Sequence, residues 1–122
     1  MSESSMRQRV VRALNDAGLH AVSIENSVGI GTPDVSWAYG FLELKWLRSG
    51  PVRLPHYTAA QRHWLKSRCK AGGVAHLLLC VAGEFFLIWG SVAATASDDE
   101  LCLLAIEHGP LPLIIEKLKE YR

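Results

Sequence analysis

From Ser2 to His20 the chain reads "SESSMRQRVVRALNDAGLH", with apolar residues at Met6, Val10, Ala13, Leu14 and Ala17. That spacing predicts an amphipathic helix, with Ser2 or Ser4 able to cap its start and Gly18 suited to its end. The period then changes. Ala21 or Val22 alternates with Ile24, a strand signal that dissolves into a loop at Gly29, Gly31 and Pro33. Two runs follow, "DVSWA" and "FLELKW", separated by Tyr39 and Gly40, a spacing that predicts a tight antiparallel hairpin. "LRSGPVRLPHY" holds two prolines and a glycine and reads as a loop. "TAAQRHWLKSRCKAGG" predicts a helix, with Thr58 and Gln61 at capping-box spacing, Ala60, Trp64 and Leu65 facing inward, and Gly72 and Gly73 ending it. "VAHLLLCVA" and "EFFLIWG" then flank Gly83 and Glu84 as a buried strand and its antiparallel neighbour. Beyond Ser91 the pattern weakens to a short helix or turn, followed by a closing helix in "LPLIIEKLKEYR". Helix, three strands, helix, two strands and a helical tail predict an α/β fold with helices on the faces of a sheet.

A length of 122 residues suits one domain, residues 1–122, and 49% hydrophobic with 20% charged residues fits a soluble globular chain. A net charge of +1 makes no case for nucleic acid or a membrane by itself. Cys69, Cys80 and Cys102 form no C-x-x-C pair and leave one over, which speaks against a disulfide framework or zinc knuckle and for a reducing cytoplasm. The start lacks the apolar stretch of a signal peptide, and "VAHLLLCVAG" is about half a membrane span, so no membrane association is expected.

The chemistry concentrates in "GTPDVSWAYGFLELKW". On a strand Glu43 and Lys45 share a face, with Leu42, Leu44 and Trp46 on the other, and the hairpin brings Asp34 close to them. Two carboxylates held together repel unless a cation intervenes, and an oxygen-only donor set suits Mg²⁺. The plainer alternative is a cross-strand ion pair on a solvated face.

Pro33 and Asp34, followed by Glu43, Leu44 and Lys45 in an apolar strand, resemble the two half-motifs of the PD-(D/E)XK nuclease superfamily. The likeness extends to Glu3 early in the first helix, to the glycine-rich "ENSVGIGTPD", and to Gln61 in the helix after the E-x-K strand. These features recur in stand-alone VRR-NUC nucleases and archaeal-type Holliday junction resolvases, and roughly Glu3 to Trp89 can be laid on their pattern. The resemblance implies a restriction-endonuclease-like αβββαβ core, a mixed sheet flanked by helices, with an extra strand and a C-terminal helix. It also implies that Asp34, Glu43 and the Leu44 carbonyl hold Mg²⁺ or Mn²⁺, and that Lys45 orients or deprotonates the attacking water. Glu3 and Gln61 would join the site. Glu3 is equally well explained as a helix-start carboxylate, Gln61 as part of a cap, and Glu25 stands in reserve.

Between Trp46 and Gly83 there is no Asp or Glu, while Arg48, Arg53, Arg62, Lys66, Arg68 and Lys70 fall there with His56 and His63. With Arg7, Arg9 and Arg12 on the first helix, this predicts basic strips for DNA phosphates, against the plainer reading of solvated helix faces. The loop "LRSGPVRLPHY" is expected to be flexible and to touch substrate. Trp37, Tyr39, Trp46 and Tyr57 border the motif and could stack on bases, though packing is the more ordinary role. The reading is a metal-dependent endodeoxyribonuclease for branched DNA or Holliday junctions, of phage or prophage type. A homodimer is expected, joined through "HLLLC", "FFLIW" or the final helix. A small restriction-type endonuclease and a non-catalytic nucleic-acid-binding module are the alternatives.

Overall fold

The computed structural model describes residues 1–25 and 29–122; Asn26, Ser27 and Val28 of the glycine-rich approach lie outside the described residues. Helix α1 (Glu3–Asp16) starts in a reciprocal cap between Ser2 and Ser5 and buries Met6, Val10 and Leu14. Strands β1 (Val22–Ser23), β2 (Val35–Trp37) and β3 (Gly40–Leu47) form an antiparallel meander. Helix α2 (Ala59–Lys70) crosses to β4 (Ala75–Val81), which lies parallel to β3 with Glu43 opposite Leu77 and Lys45 opposite Leu79. A parallel neighbour cannot be reached by a tight turn, and α2 supplies the crossover. β5 (Glu84–Trp89), α3 (Gly90–Thr95), β6 (Glu107–Gly109) and α4 (Leu111–Leu118) complete a mixed six-stranded sheet in the order β1-β2-β3-β4-β5-β6.

The sheet has a core on each face. Leu42, Leu44, Leu78 and Cys80 pack against Met6, Val10 and Leu14 of α1 and Ile114 and Leu118 of α4. Leu77 and Leu79 face the other way, against Leu65 of α2, Ala93 of α3, Leu54 and Tyr57. Burial on both faces explains why β4 reads as a continuous apolar run. It also means that "HLLLC" and most of "FFLIW" are covered, so neither strand has an open face for a second copy. Among the described residues, no helix is long and apolar enough to cross a membrane.

Three expectations shift. The first hairpin turns at Ala38 and Tyr39, because Gly40 already pairs with Trp37. A side chain at Gly40 would run into the Val74 carbonyl, so this glycine serves a close strand contact rather than the turn. The second hairpin turns at Ala82 and Gly83, with φ of +51° and +84°, while Glu84 already pairs with Val81. Left-handed backbone costs an L-residue roughly 1–2 kcal/mol, less for asparagine, so Ala82→Asn should stabilise by about 1 kcal/mol in urea unfolding. The short strand β6 was not legible in the sequence and extends the sheet beyond β5.

His76 is fully buried in β4, its Nε2 3.0 Å from the Tyr121 hydroxyl and its Nδ1 unpartnered, and burial pulls its pKa down to about 4. The unfolded chain binds this proton near pH 6.5 and the folded chain only near 4. Stability is therefore full above pH 6.5 and falls as pH drops to 4, by about 3 kcal/mol in all. His76→Gln should flatten that slope in urea unfolding across this range.

Candidate active site

The register of the first hairpin sets the site. Val35 pairs with Leu42, so two more steps place Asp34 beside Glu43 and Pro33 beside Leu44. Proline has no N–H to donate, which interrupts the ladder at that point. The Leu44 N–H instead donates to Asp34 Oδ2 at 2.8 Å, and Pro33, one step further along the same register, has no N–H to offer the Leu44 carbonyl. One dipeptide thus positions a carboxylate and withholds a ladder donor from the backbone oxygen next to it.

Glu43 is only 1% exposed, and its Oε1 has no hydrogen-bond partner among the described residues. Its pKa rises to about 9, chiefly through burial, then through a hydrogen bond with Asp34 and that group's charge; Lys45 opposes the rise and Glu3 adds to it. Burial beside a second carboxylate therefore favours the protonated form of Glu43. Among the described ion pairs, none joins Glu43 to Lys45, so the plain cross-strand ion pair is not what forms. Lys45, 7% exposed, donates from Nζ to the His56 carbonyl at 3.0 Å and lies 5.9 Å from the Tyr57 ring.

Glu3 and Arg7, from the first turns of α1, line a cavity of about 250 Å³ with Ser4, Asp34 and Leu44. Glu3 therefore shares a cavity with Asp34, and Glu25 is an exposed residue just past β1. Among the described residues no three His, Cys, Asp or Glu side chains converge as a ready metal cage. The donors that do meet are two carboxylates and the Leu44 carbonyl. Mg²⁺ retains several waters and needs few protein ligands, so this set fits it, and the orphaned Glu43 Oε1 is an oxygen still lacking a partner.

Gln61 accepts from the Thr58 N–H at 2.9 Å while Thr58 Oγ1 accepts from the Gln61 N–H at 3.2 Å. Its side-chain oxygen is occupied by the cap, the local role the sequence allows for it. Arg62 departs from the basic strip: it pairs with Asp98 at 2.9 Å, donates to the Ala93 and Ala96 carbonyls, and stacks 3.9 Å from the Tyr57 ring centroid. Arg48, Arg53 and Lys66 are exposed. The α1 strip divides, with Arg7 facing the carboxylates and Arg9 and Arg12 facing a groove beside α4.

The loop after β3 is anchored more firmly than expected. Asp98 Oδ2 accepts the Leu54 N–H at 2.8 Å, the buried Tyr57 hydroxyl donates to the Ala93 carbonyl at 2.8 Å, and Leu54 is buried. Its leading half, 48–53, stays largely exposed, and so do Pro55 and His56 between the two anchors. Trp37 and Tyr57 are packing residues, Trp46 packs against the α1 core, and Tyr39 is 45% exposed. The Arg62–Asp98 pair was missed because 36 residues separate the partners and "SDDE" reads as a solvated acidic run. No spacing signal could have joined them.

No family model matches the sequence, and no curated protein matches it in a sequence comparison. Among solved structures, the fold matches the 1.6 Å structure of Archaeoglobus fulgidus Hjc, a Holliday junction resolvase from an archaeal hyperthermophile. The TM-score is 0.63 at 17% identity, over 97% of this chain and 99% of that one. At that identity the likeness establishes the fold.

Proposed function

We propose that the chain acts as one metal-dependent endodeoxyribonuclease domain of the PD-(D/E)XK superfamily, similar to stand-alone VRR-NUC proteins, cutting branched DNA such as Holliday junctions. The observation that carries this is the buried Glu43 carboxyl set beside Asp34, which accepts the Leu44 N–H at 2.8 Å. Such a pair is unfavourable for folding and suited to a divalent cation. The match to the Hjc fold over nearly the whole chain supports the same reading.

Asp34, Glu43 and the Leu44 carbonyl would hold Mg²⁺ or Mn²⁺. When bound, the ion supplies charge neutralisation at the phosphate and lowers the pKa of a coordinated water. Lys45, held by the His56 carbonyl, has two further N–H donors with which to fix the attacking water and the developing oxyanion. Glu3 orders water at the open side of the carboxylates. Arg7, Arg48, Arg53 and Lys66 attract phosphates, whereas Arg62 braces the loop behind Lys45. Two copies would cut two strands, and Leu103, Leu104, Ile106 and Leu113, all exposed, are open to such a contact. The protein would act inside a host cell, in keeping with a phage or prophage origin.

Purified chain with Mg²⁺ or Mn²⁺ is expected to cut a four-way junction and to stop when chelator is added. Asp34→Asn, which keeps an acceptor for the Leu44 N–H, and Lys45→Met should each lower the rate by about 10²-fold or more while junction binding stays within a few-fold. Binding without cleavage in either metal would identify a non-catalytic module, and discrete bands from linear duplex a restriction-type enzyme.

A further inference from the structure

We propose that the groove between the Gly29–Thr32 loop and the outer face of α2 binds an unpaired segment of single-stranded DNA next to the cleavage site. This deepens the nuclease reading and takes its biological sense from it, but the binding itself does not need catalysis. Two adjoining cavities of about 560 and 530 Å³ share Ile30, Trp64 and Arg68. Trp64 meets Phe41 edge to face at 5.0 Å, and the Arg68 guanidinium lies 4.6 Å from the Trp64 centroid and 4.9 Å from that of Phe41. Ile30, a large aliphatic side chain, stands 89% exposed at the rim. Thr32 and Ser36 add hydroxyls to one side, the His63 imidazole and the Ser67 hydroxyl add polar atoms to the other, and among the described residues no Asp or Glu lines either cavity.

An acid-free groove with a fixed guanidinium favours a polyanion, and its apolar and aromatic surface says which kind. A duplex hides the faces of its bases, so exposed aliphatic and aromatic carbon gains nothing against paired DNA beyond phosphate contacts. An unpaired base offers a face that can stack there. Placement fits as well. Phe41 and Glu43 share a face of β3 two residues apart, about 7 Å along the strand. Thr32 leads directly into Pro33 and Asp34, so the loop that rims the groove also carries the site.

The test compares binding of the full chain, in chelator so that nothing is cut, to a labelled blunt duplex and to the same duplex carrying a single-stranded oligothymidylate arm. Fluorescence anisotropy should show the arm tightening binding by about tenfold or more. Ile30→Ser, at a position too exposed to endanger folding, and Trp64→Leu should each remove most of that gain and change blunt-duplex binding little. The proposal is overturned if the arm adds nothing, if both variants weaken both DNAs alike, or if the arm preference survives both. The latter two outcomes would leave phosphate attraction or a protein partner as the groove's use. Arm preference without cleavage in Mg²⁺ or Mn²⁺ would sink the nuclease reading and leave the groove standing. Cleavage without arm preference would do the reverse.

Discussion

Replacing Glu43 by glutamine is expected to make the metal-free protein more stable at pH 8 while taking DNA cleavage to background. The folded pKa of Glu43 stands near 9 against 4.5 for the free group, driven first by burial. A pKa raised on folding contributes stability that is complete below pH 4.5 and is lost as pH climbs through 9. At pH 8 the unfolded chain is ionised and the folded one is holding a proton, so the native state is disadvantaged. Glutamine cannot ionise, nearly matches the side chain in shape, and can still donate to Asp34. The gain should be on the order of a few kcal/mol at pH 8 and close to zero at pH 4.5. Urea unfolding in chelator at both pH values measures it. Mg²⁺ should raise the wild-type midpoint at pH 8 and leave Glu43→Gln almost unmoved. Equal stability of the two proteins at pH 8 would mean that Glu43 is not held as a neutral acid.

Gly31→Ala is expected to be the most damaging single methyl addition near the site. Gly31 has φ of +78°, and a Cβ there would run into the Ala60 carbonyl and lie 3.0 Å from the Gln61 nitrogen, both backbone atoms at the start of α2. Left-handed strain of about 1–2 kcal/mol adds to an overpacking cost of about 1–3 kcal/mol, so a loss near 3 kcal/mol should appear in urea unfolding. Cleavage should fall further than stability alone explains, because Asp34 is three residues downstream and depends on the same seating. Gly29→Ala is the control: among the described residues its Cβ meets only the Thr32 hydroxyl, at 3.1 Å, and the cost should stay below about 1 kcal/mol. Similar losses for both would show that the loop does not rest on α2.

Some of this was legible before any coordinates. Side-chain alternation with period two put Glu43 and Lys45 on one face, whatever the rest of the chain did. The capping pairs and the glycines after each helix are likewise local events, and α1 and α2 end close to where their residues say. The Pro33–Asp34 pair was legible as an oddity, although its effect on the Leu44 carbonyl emerged only with the hairpin register. The sequence pattern places the turn one residue late at both hairpins. The choice of turn residues depended on Gly40 meeting Val74 and on Ala82 accepting left-handed backbone, neither of which composition reveals.

Local periodicity and steric preference, being properties of neighbouring residues, determined the order of elements as far as β5, the buried stripe of α1 and the shared face of the E-x-K strand. Tertiary structure alone decided the charge states and partners. It buried Glu43 against Asp34, turned Arg62 from a phosphate contact into the brace of Asp98 and Tyr57, and gathered Ile30, Phe41, Trp64 and Arg68 around one groove. Desolvation and long-range pairing depend on what the folded chain brings within a few ångströms, and residues far apart in sequence carry no local mark of that meeting.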